Sequence, residues 1–172
     1  MSVLYLICGA APPTLDIDRV VPLLIERGWD TWVIPTPHAV PFLAAAAVEA
    51  LTSHSPRATF RMPGEGRMPP PAAVLAAPMT FNSVNKWAAG IADTFALAAL
   101  TEALGEHRPV VVVPWAKSAL TSHPAFDRSL QLLRTERATV VLDRDSSLLV
   151  PGAEVPDFPW RAALAALPTL SK

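Results

Sequence analysis

Five short apolar runs recur along the chain: Val3 to Ile7, Thr31 to Pro35, Ala73 to Ala77, Val110 to Val113 and Thr139 to Leu142. They are continuous rather than alternating, so a strand made from any of them must be covered on both faces. Segments of helical spacing lie between them. Thr14 to Arg27 carries Leu15, Val20, Val21 and Leu24 and stops at Gly28, and further helices are predicted over Val40 to Leu51, Val84 to Leu104, Ala125 to Arg134 and Pro159 to Leu167. Buried runs alternating with helices argue for an α/β fold: a single-domain, Rossmann-like, doubly wound parallel sheet of about six strands with helices on both faces.

The remaining composition sets limits on function. With 172 residues and no internal repeat, the chain fits one domain spanning 1–172. A net charge of -1 without a block of like charge disfavours a nucleic-acid partner. The opening run VLYLIC has no basic segment before it and is too short to act as a signal peptide or to span a bilayer, so no membrane association is expected. One cysteine, Cys8, excludes an internal disulfide and a multi-cysteine zinc site; no metal is expected, and the expected location is cytoplasmic. Inside a strand, Cys8 reads as a packed thiol without a redox role.

Two stretches break the alternation. Thr52 to Pro71, TSHSPRATFRMPGEGRMPPP, contains one strand fragment at Ala58 to Phe60 and otherwise reads as a long connection. Such a loop is either plain surface or a substrate lid in which Arg61 and Arg67 recognise an anionic group. From Arg144 the pattern weakens into a C-terminal extension, 144–172.

In a doubly wound sheet, ligands sit at the carboxyl edge of the strands. Four junctions here bring small or polar residues to that edge: Gly9-Ala10-Ala11, Thr36-Pro37-His38, Pro78-Met79-Thr80-Phe81-Asn82-Ser83 and Pro114-Trp115-Ala116-Lys117-Ser118. Small residues let a ligand approach the backbone, and a following helix N-terminus offers free N–H groups to a phosphate. One polar residue suffices to cap a helix, yet the third junction supplies three. The GxGxxG fingerprint is absent, which disfavours a NAD-type domain.

PMTFNSVNKWAAGIADTF resembles the PASANTIAKxAxGIxDNL segment of the flavin-containing cysteine decarboxylases, the family of phosphopantothenoylcysteine decarboxylase and of the peptidyl-cysteine decarboxylases of lanthipeptide biosynthesis. The matching letters are Pro78, Asn82, Lys86, Gly90, Ile91 and Asp93, with Thr80 for Ser and Ser83 for Thr. PWAKSALTSHPAFDRSLQLLR is similar to the family's PAMNxxMWxxPAxxxNLxxL through Pro114, Pro124 and Ala125. The N-terminal loop, helix and strand lead into a TxxAxxF pattern at Thr36 and Ala39. The resemblance runs to about Leu142.

By this resemblance the cofactor is FMN. Gly9, Ala10 and Ala11 lie beneath it, and Pro78, Met79, Thr80, Phe81, Asn82 and Ser83 cradle it, with Asn82 facing the space above the ring. Thr36, with His38, reaches the phosphate or ribityl chain. The family's phosphate-loop serine has no clear counterpart; Pro12 and Pro13 stand there without N–H donors, so Thr14 or His38 is expected to compensate. The family's histidine before the strand at Ala73 is also missing: that place reads Gly64-Glu65-Gly66-Arg67-Met68. His54 is the nearby imidazole, at a predicted helix end where a solvated surface role is the alternative. The PAMN asparagine is Lys117, and the motif's Met and Trp are Leu120 and Thr121. A lysine at that place holds a carboxylate or phosphate as a point charge and favours negative charge on a reduced flavin.

Three functions therefore stay open. The first is an FMN-dependent decarboxylase or oxidoreductase acting on a small carboxylate or a peptide C-terminus, with Asn82 and Lys117 as catalytic candidates. The second is a divergent flavin-binding or regulatory protein. The third is a flavin prenyltransferase-like enzyme using Arg61, Arg67 and Lys117. By analogy with the family's trimers, and from the apolar stripe Trp87, Ile91, Phe95 and Leu100, a homotrimer or a multiple of trimers is expected.

Overall fold

The computed structural model describes residues 2–142, 148–149 and 158–170. Five strands, β1 (Ser2–Cys8), β2 (Trp29–Pro35), β3 (Ala73–Met79), β4 (Val110–Pro114) and β6 (Thr139–Val140), pair in parallel in the order β2-β1-β3-β4-β6. The dipeptides β5 (Ala116–Lys117) and β7 (Leu148–Leu149) form a separate parallel pair. The sheet is the doubly wound one expected from the five apolar runs. The fragment Ala58 to Phe60 does not join it: Arg57 donates its N–H to the Val33 carbonyl at 3.0 Å, and no further ladder follows.

Period-two alternation splits each strand between two cores. Leu4, Leu6, Leu75 and Val111 face α1 (Ile17–Glu26), α2 (Ala45–Thr52) and α7 (Trp160–Ala165), which contribute Val20, Leu24, Val48 and Leu164. Tyr5, Ile7, Val74 and Val112 face α3 (Phe81–Ala88), α4 (Phe95–Gly105) and α6 (Pro124–Thr135), which contribute Trp87, Leu97, Leu100, Phe126 and Leu130. Strands buried on both faces are the reason the sequence shows unbroken apolar runs.

Three predicted helices are shorter than their periodicity suggested. The first begins with a 3-10 turn, Pro12–Asp16, and becomes α-helical only at Ile17, which leaves Leu15 62% exposed. The second likewise opens on a 3-10 turn, Pro37–Phe42, with Pro41 inside it. The segment Val84 to Leu104 is two helices, not one. Gly90 takes φ +72°, its N–H reaches the Trp87 carbonyl at 2.9 Å, and the Ile91 N–H reaches the Lys86 carbonyl at 2.9 Å. That pair of bonds is a Schellman closure of α3. Thr94 then caps α4 by accepting from the Leu97 N–H at 3.3 Å.

Of the extension 144–172, residues 144–147, 150–157 and 171–172 lie outside the described residues. The described part is no appendage, since Ala163, Leu164 and Leu167 complete the core beside α1.

Candidate functional site

After β2 the chain crosses back over β1 to lay down β3, so β1 and β3 flank the point where the strand order reverses. Connections leaving two such strands diverge to opposite sides and open a crevice at their carboxyl ends. Gly9 donates its N–H to the Pro78 carbonyl at 2.7 Å and closes the floor of that crevice. A Cβ on Gly9 would lie 3.0 Å from the Pro78 oxygen and 3.2 Å from both the Thr80 nitrogen and its Cγ2, so any larger residue would have to push these neighbours back by a few tenths of an ångström. Thr14 Oγ1 donates to the Gly9 carbonyl at 2.6 Å, and Trp115 donates its N–H to the Met79 carbonyl at 2.8 Å.

Above this floor lies a cavity of about 380 Å³ lined by Ala10, Ala11, Pro12, Thr80, Phe81, Asn82, Trp115, Ala116, Lys117 and Leu120. Thr80 caps α3, accepting from the Ser83 N–H at 3.3 Å and donating its hydroxyl to Ser83 Oγ at 3.1 Å. Asn82 and Lys117 are exposed at the mouth. Among the described residues Lys117 is the only cation lining the cavity, and no carboxylate lines it.

Of the residues singled out from sequence, the structure brings Ala10, Ala11, Thr80, Phe81, Asn82 and Lys117 together on the cavity wall, with Gly9, Pro78, Met79 and Ser83 directly behind them. Thr36 and His38 do not line it. Thr36 is buried at the end of β2, where its N–H donates to the Cys8 carbonyl at 2.8 Å, and His38 is exposed on the turn that follows. Thr14 is 1% exposed and its hydroxyl bonds the Gly9 carbonyl, which makes it a strut of the floor. Trp115, Ala116 and Leu120 belong to the cavity without having been selected. Trp115 and Ala116 lie in the fourth junction, and Leu120 stands where the resembling motif has its methionine.

His54 stands elsewhere. Its Nε2 lies 2.7 Å from Asp30 Oδ1, and its ring stacks on Trp32 with centroids 3.7 Å apart. Asp30 also accepts from Trp32 Nε1 at 3.2 Å, so one carboxylate holds both rings against the outer edge of β2. A larger concavity of about 600 Å³ lies there, lined by residues of the 53–68 loop including Arg57, Arg67 and Met68. That loop is folded on itself: Glu65 accepts from Arg57 and from the Met62 N–H, and Arg61 donates to the Glu65 carbonyl at 2.7 Å. Within this chain no residue of the loop, Arg61 and Arg67 included, lines the 380 Å³ cavity.

Cys8 is 0% exposed, and burial pushes its thiol up to about 12. Tyr5 donates its hydroxyl to the Pro69 carbonyl at 2.7 Å; burial, and then the charges of Glu102 and Glu106, raise its phenol to about 12. Among the described residues no helix is long and apolar enough to cross a membrane.

The Flavoprotein family model matches residues 2–156. Among solved structures, the FMN-dependent cysteine decarboxylase TvaF from thioviridamide biosynthesis superposes with a TM-score of 0.76 at 21% identity, covering 96% of this chain and 98% of that one. A PPC decarboxylase mutant superposes at 0.75 with 14% identity, covering 96% and 97%. The FMN binding protein AtHal3 superposes at 0.74 with 14% identity, covering 95% and 94%. At these identities the likeness is one of fold. No curated protein matches the sequence.

Proposed function

The chain belongs to the Flavoprotein family, and from that premise we propose that it binds FMN at the β1/β3 crevice as a decarboxylase-like flavoprotein whose ligand is a small carboxylate or a peptide C-terminus. One observation carries this reading: among the described residues, the crevice at the strand-order reversal is lined by two alanines, a capping threonine, a carboxamide and a single ammonium. Ala10 and Ala11 present a flat, small floor to a ring, which Gly9 makes possible by letting β1 and β3 close beneath it.

The residues present fit the ring end of the cofactor. Ala10, Ala11, Thr80 and Asn82 would hold it, and Phe81 and Leu120 would shield it from water. By the family resemblance the phosphate end would run on to Thr36 and His38 at the adjacent junction, beyond the cavity that neither residue lines; Pro12 and Pro13 lack N–H donors, and the Thr14 hydroxyl already bonds Gly9. When bound, the flavin supplies a two-electron acceptor. Asn82 then orients the ligand by its carboxamide and Lys117 attracts its carboxylate.

A second reading is favoured by a specific observation: no histidine lines the cavity, and His54 is held by Asp30 and Trp32 at the edge of β2. Without an imidazole there, the chain is a flavin-binding or regulatory protein that does not decarboxylate. A partner subunit is the other source of a missing group. We propose a homotrimer or a multiple of trimers, supported by the exposed apolar side chains Phe60, Met62 and Ile91, and a cytoplasmic location, supported by the single buried cysteine. A sedimentation mass equal to one chain would rule the trimer out.

The test of the cofactor is the visible spectrum of the purified chain, with mass identification of whatever heat releases. Flavin bands and released FMN are expected. A colourless chain that takes up no added FMN would overturn the reading. Release of CO2 from a cysteine-ended peptide then separates the enzyme from the non-decarboxylating alternative.

A further inference from the structure

The wall of the candidate cavity carries a charge that no neighbour neutralises among the described residues. Lys117 sits in β5, directly after the buried Trp115 and Ala116, and its exposed ammonium makes no ion pair or hydrogen bond among the described residues. The remaining lining groups are apolar or neutral: two alanines, a proline, Thr80, Phe81, Asn82, Trp115, Ala116 and Leu120. The cavity, at about 380 Å³, is only a few ring widths across. Any occupant therefore lies within one Debye length of the ammonium, about 8 Å at physiological ionic strength. Lys117 is exposed at the mouth, so solvent screens its charge in part.

A cation in such a position acts on the cofactor as well as on the ligand. Oxidised flavin is neutral at its ring, whereas the reduced ring and its adducts with nucleophiles carry negative charge at the N1 and C2 carbonyl end. A nearby positive charge stabilises the second state relative to the first, because charge close to the ring nitrogens tunes the cofactor's electronics. We propose that Lys117 is an electrostatic tuning residue: it makes this cavity a seat for negative charge, so the bound flavin accepts electrons and anionic nucleophiles more readily than it would with a neutral residue at that place. The inference rests on the FMN reading above and adds to it. It assigns the cavity a preference for anionic ligands and a flavin poised toward its reduced, anionic form.

Sulfite is the probe. Its sulfur lone pair forms a bond to flavin N5, an electron pair of the ring moves onto the N1 and C2 carbonyl end, and no leaving group departs. The adduct bleaches the visible flavin bands, so its Kd is read by titration and without turnover. Wild type, Lys117→Gln and Lys117→Arg are first compared for FMN content, then titrated with sulfite at low and high salt. With each titration referred to the FMN actually bound, the expected result is a loss of about tenfold or more in sulfite affinity in Lys117→Gln, the scale of one partly screened charge. Lys117→Arg is expected to retain the affinity, and added salt to weaken wild type more than Lys117→Gln. A lower flavin midpoint potential in Lys117→Gln is the second expected readout. Flavin-loaded wild type and Lys117→Gln with the same sulfite Kd and the same potential would overturn the proposal while leaving the FMN reading intact. Absence of FMN from wild type would overturn the FMN reading itself, and this inference with it.

Discussion

The Gly9 N–H and the Pro78 carbonyl meet at 2.7 Å and join the ends of β1 and β3 at the point where the strand order reverses. Two strands whose continuations part to opposite sides of the sheet are held together there by one backbone hydrogen bond, and the cavity sits on it. The Thr14 hydroxyl braces the same peptide from the Gly9 carbonyl side.

Gly9→Ala is therefore expected to destabilise the chain by about 1–3 kcal/mol, the usual cost of forcing atoms into a packed site. The added methyl meets the Pro78 carbonyl oxygen at 3.0 Å and the Thr80 nitrogen and Cγ2 at 3.2 Å, so the backbone as well as a side-chain methyl must give way. Urea unfolding measures the change. An unaltered midpoint would mean that the two strand ends separate without cost.

Two other glycines form a contrasting pair. Gly90 lies at φ +72° in the closure of α3, so Gly90→Ala is expected to cost about 1 kcal/mol although nothing stands within 4 Å of its Cβ position. Gly66 has equally open surroundings and no left-handed φ, and Gly66→Ala is expected to change stability by less than about 0.5 kcal/mol. Equal effects at the two positions would show that backbone conformation is not the cause.

The capping threonines separate stability from cofactor binding. Thr80→Ala and Thr94→Ala each remove a side-chain acceptor from a helix N-terminus and should each cost about 1 kcal/mol. Only Thr80 lines the cavity. FMN affinity, followed by quenching of free flavin fluorescence, is expected to fall in Thr80→Ala and to hold in Thr94→Ala; a matching loss in both would point to general destabilisation.

Alkaline pH should weaken the fold through Cys8. Burial raises its folded thiol from 9.0 to about 12, so the folded chain keeps the proton where the unfolded chain releases it. The associated stability is complete below about pH 9 and is lost as pH rises from there toward 12, at up to about 1.4 kcal/mol per pH unit. Tyr5, raised for burial first and then for Glu102 and Glu106, adds a loss of the same sign above pH 10. Stability measured between pH 9 and 10 is expected to fall in wild type and to flatten in Cys8→Ala. In the native chain at neutral pH, Cys8 should resist thiol reagents until urea opens the core.

The resemblance that pointed to a flavin site combined letters of two physical kinds. Thr80 and Asn82 line the cavity, whereas Lys86, Gly90 and Asp93 make the elbow between α3 and α4: Gly90 supplies the left-handed turn and Lys86 pairs with Asp93 across it. The motif thus marks a helix terminus as much as a binding surface. Periodicity alone read the elbow as continuous helix, because Trp87, Ile91, Phe95 and Leu100 keep helical spacing across it. Ile91 is in fact 44% exposed just past the turn.

Local information sufficed to place the strands and the helix layers, though not to bound every helix. The apolar runs determined the strands, their two-sided burial determined helix layers on both faces, and small or polar residues after each run marked the carboxyl edge as the place for a ligand. Tertiary structure alone decided which junctions share a cavity. The order β2-β1-β3-β4-β6 places Ala10 beside Thr80 and brings Trp115 and Lys117 to the same wall, while it leaves Thr36 and His38 outside. It also seats the 53–68 loop and His54 on the outer edge of β2, away from that cavity. The physical reason is range: hydrophobic period and capping act over a few residues, whereas strand adjacency rests on hydrogen bonds and packing between segments far apart in the chain, to which the local pattern carries no address.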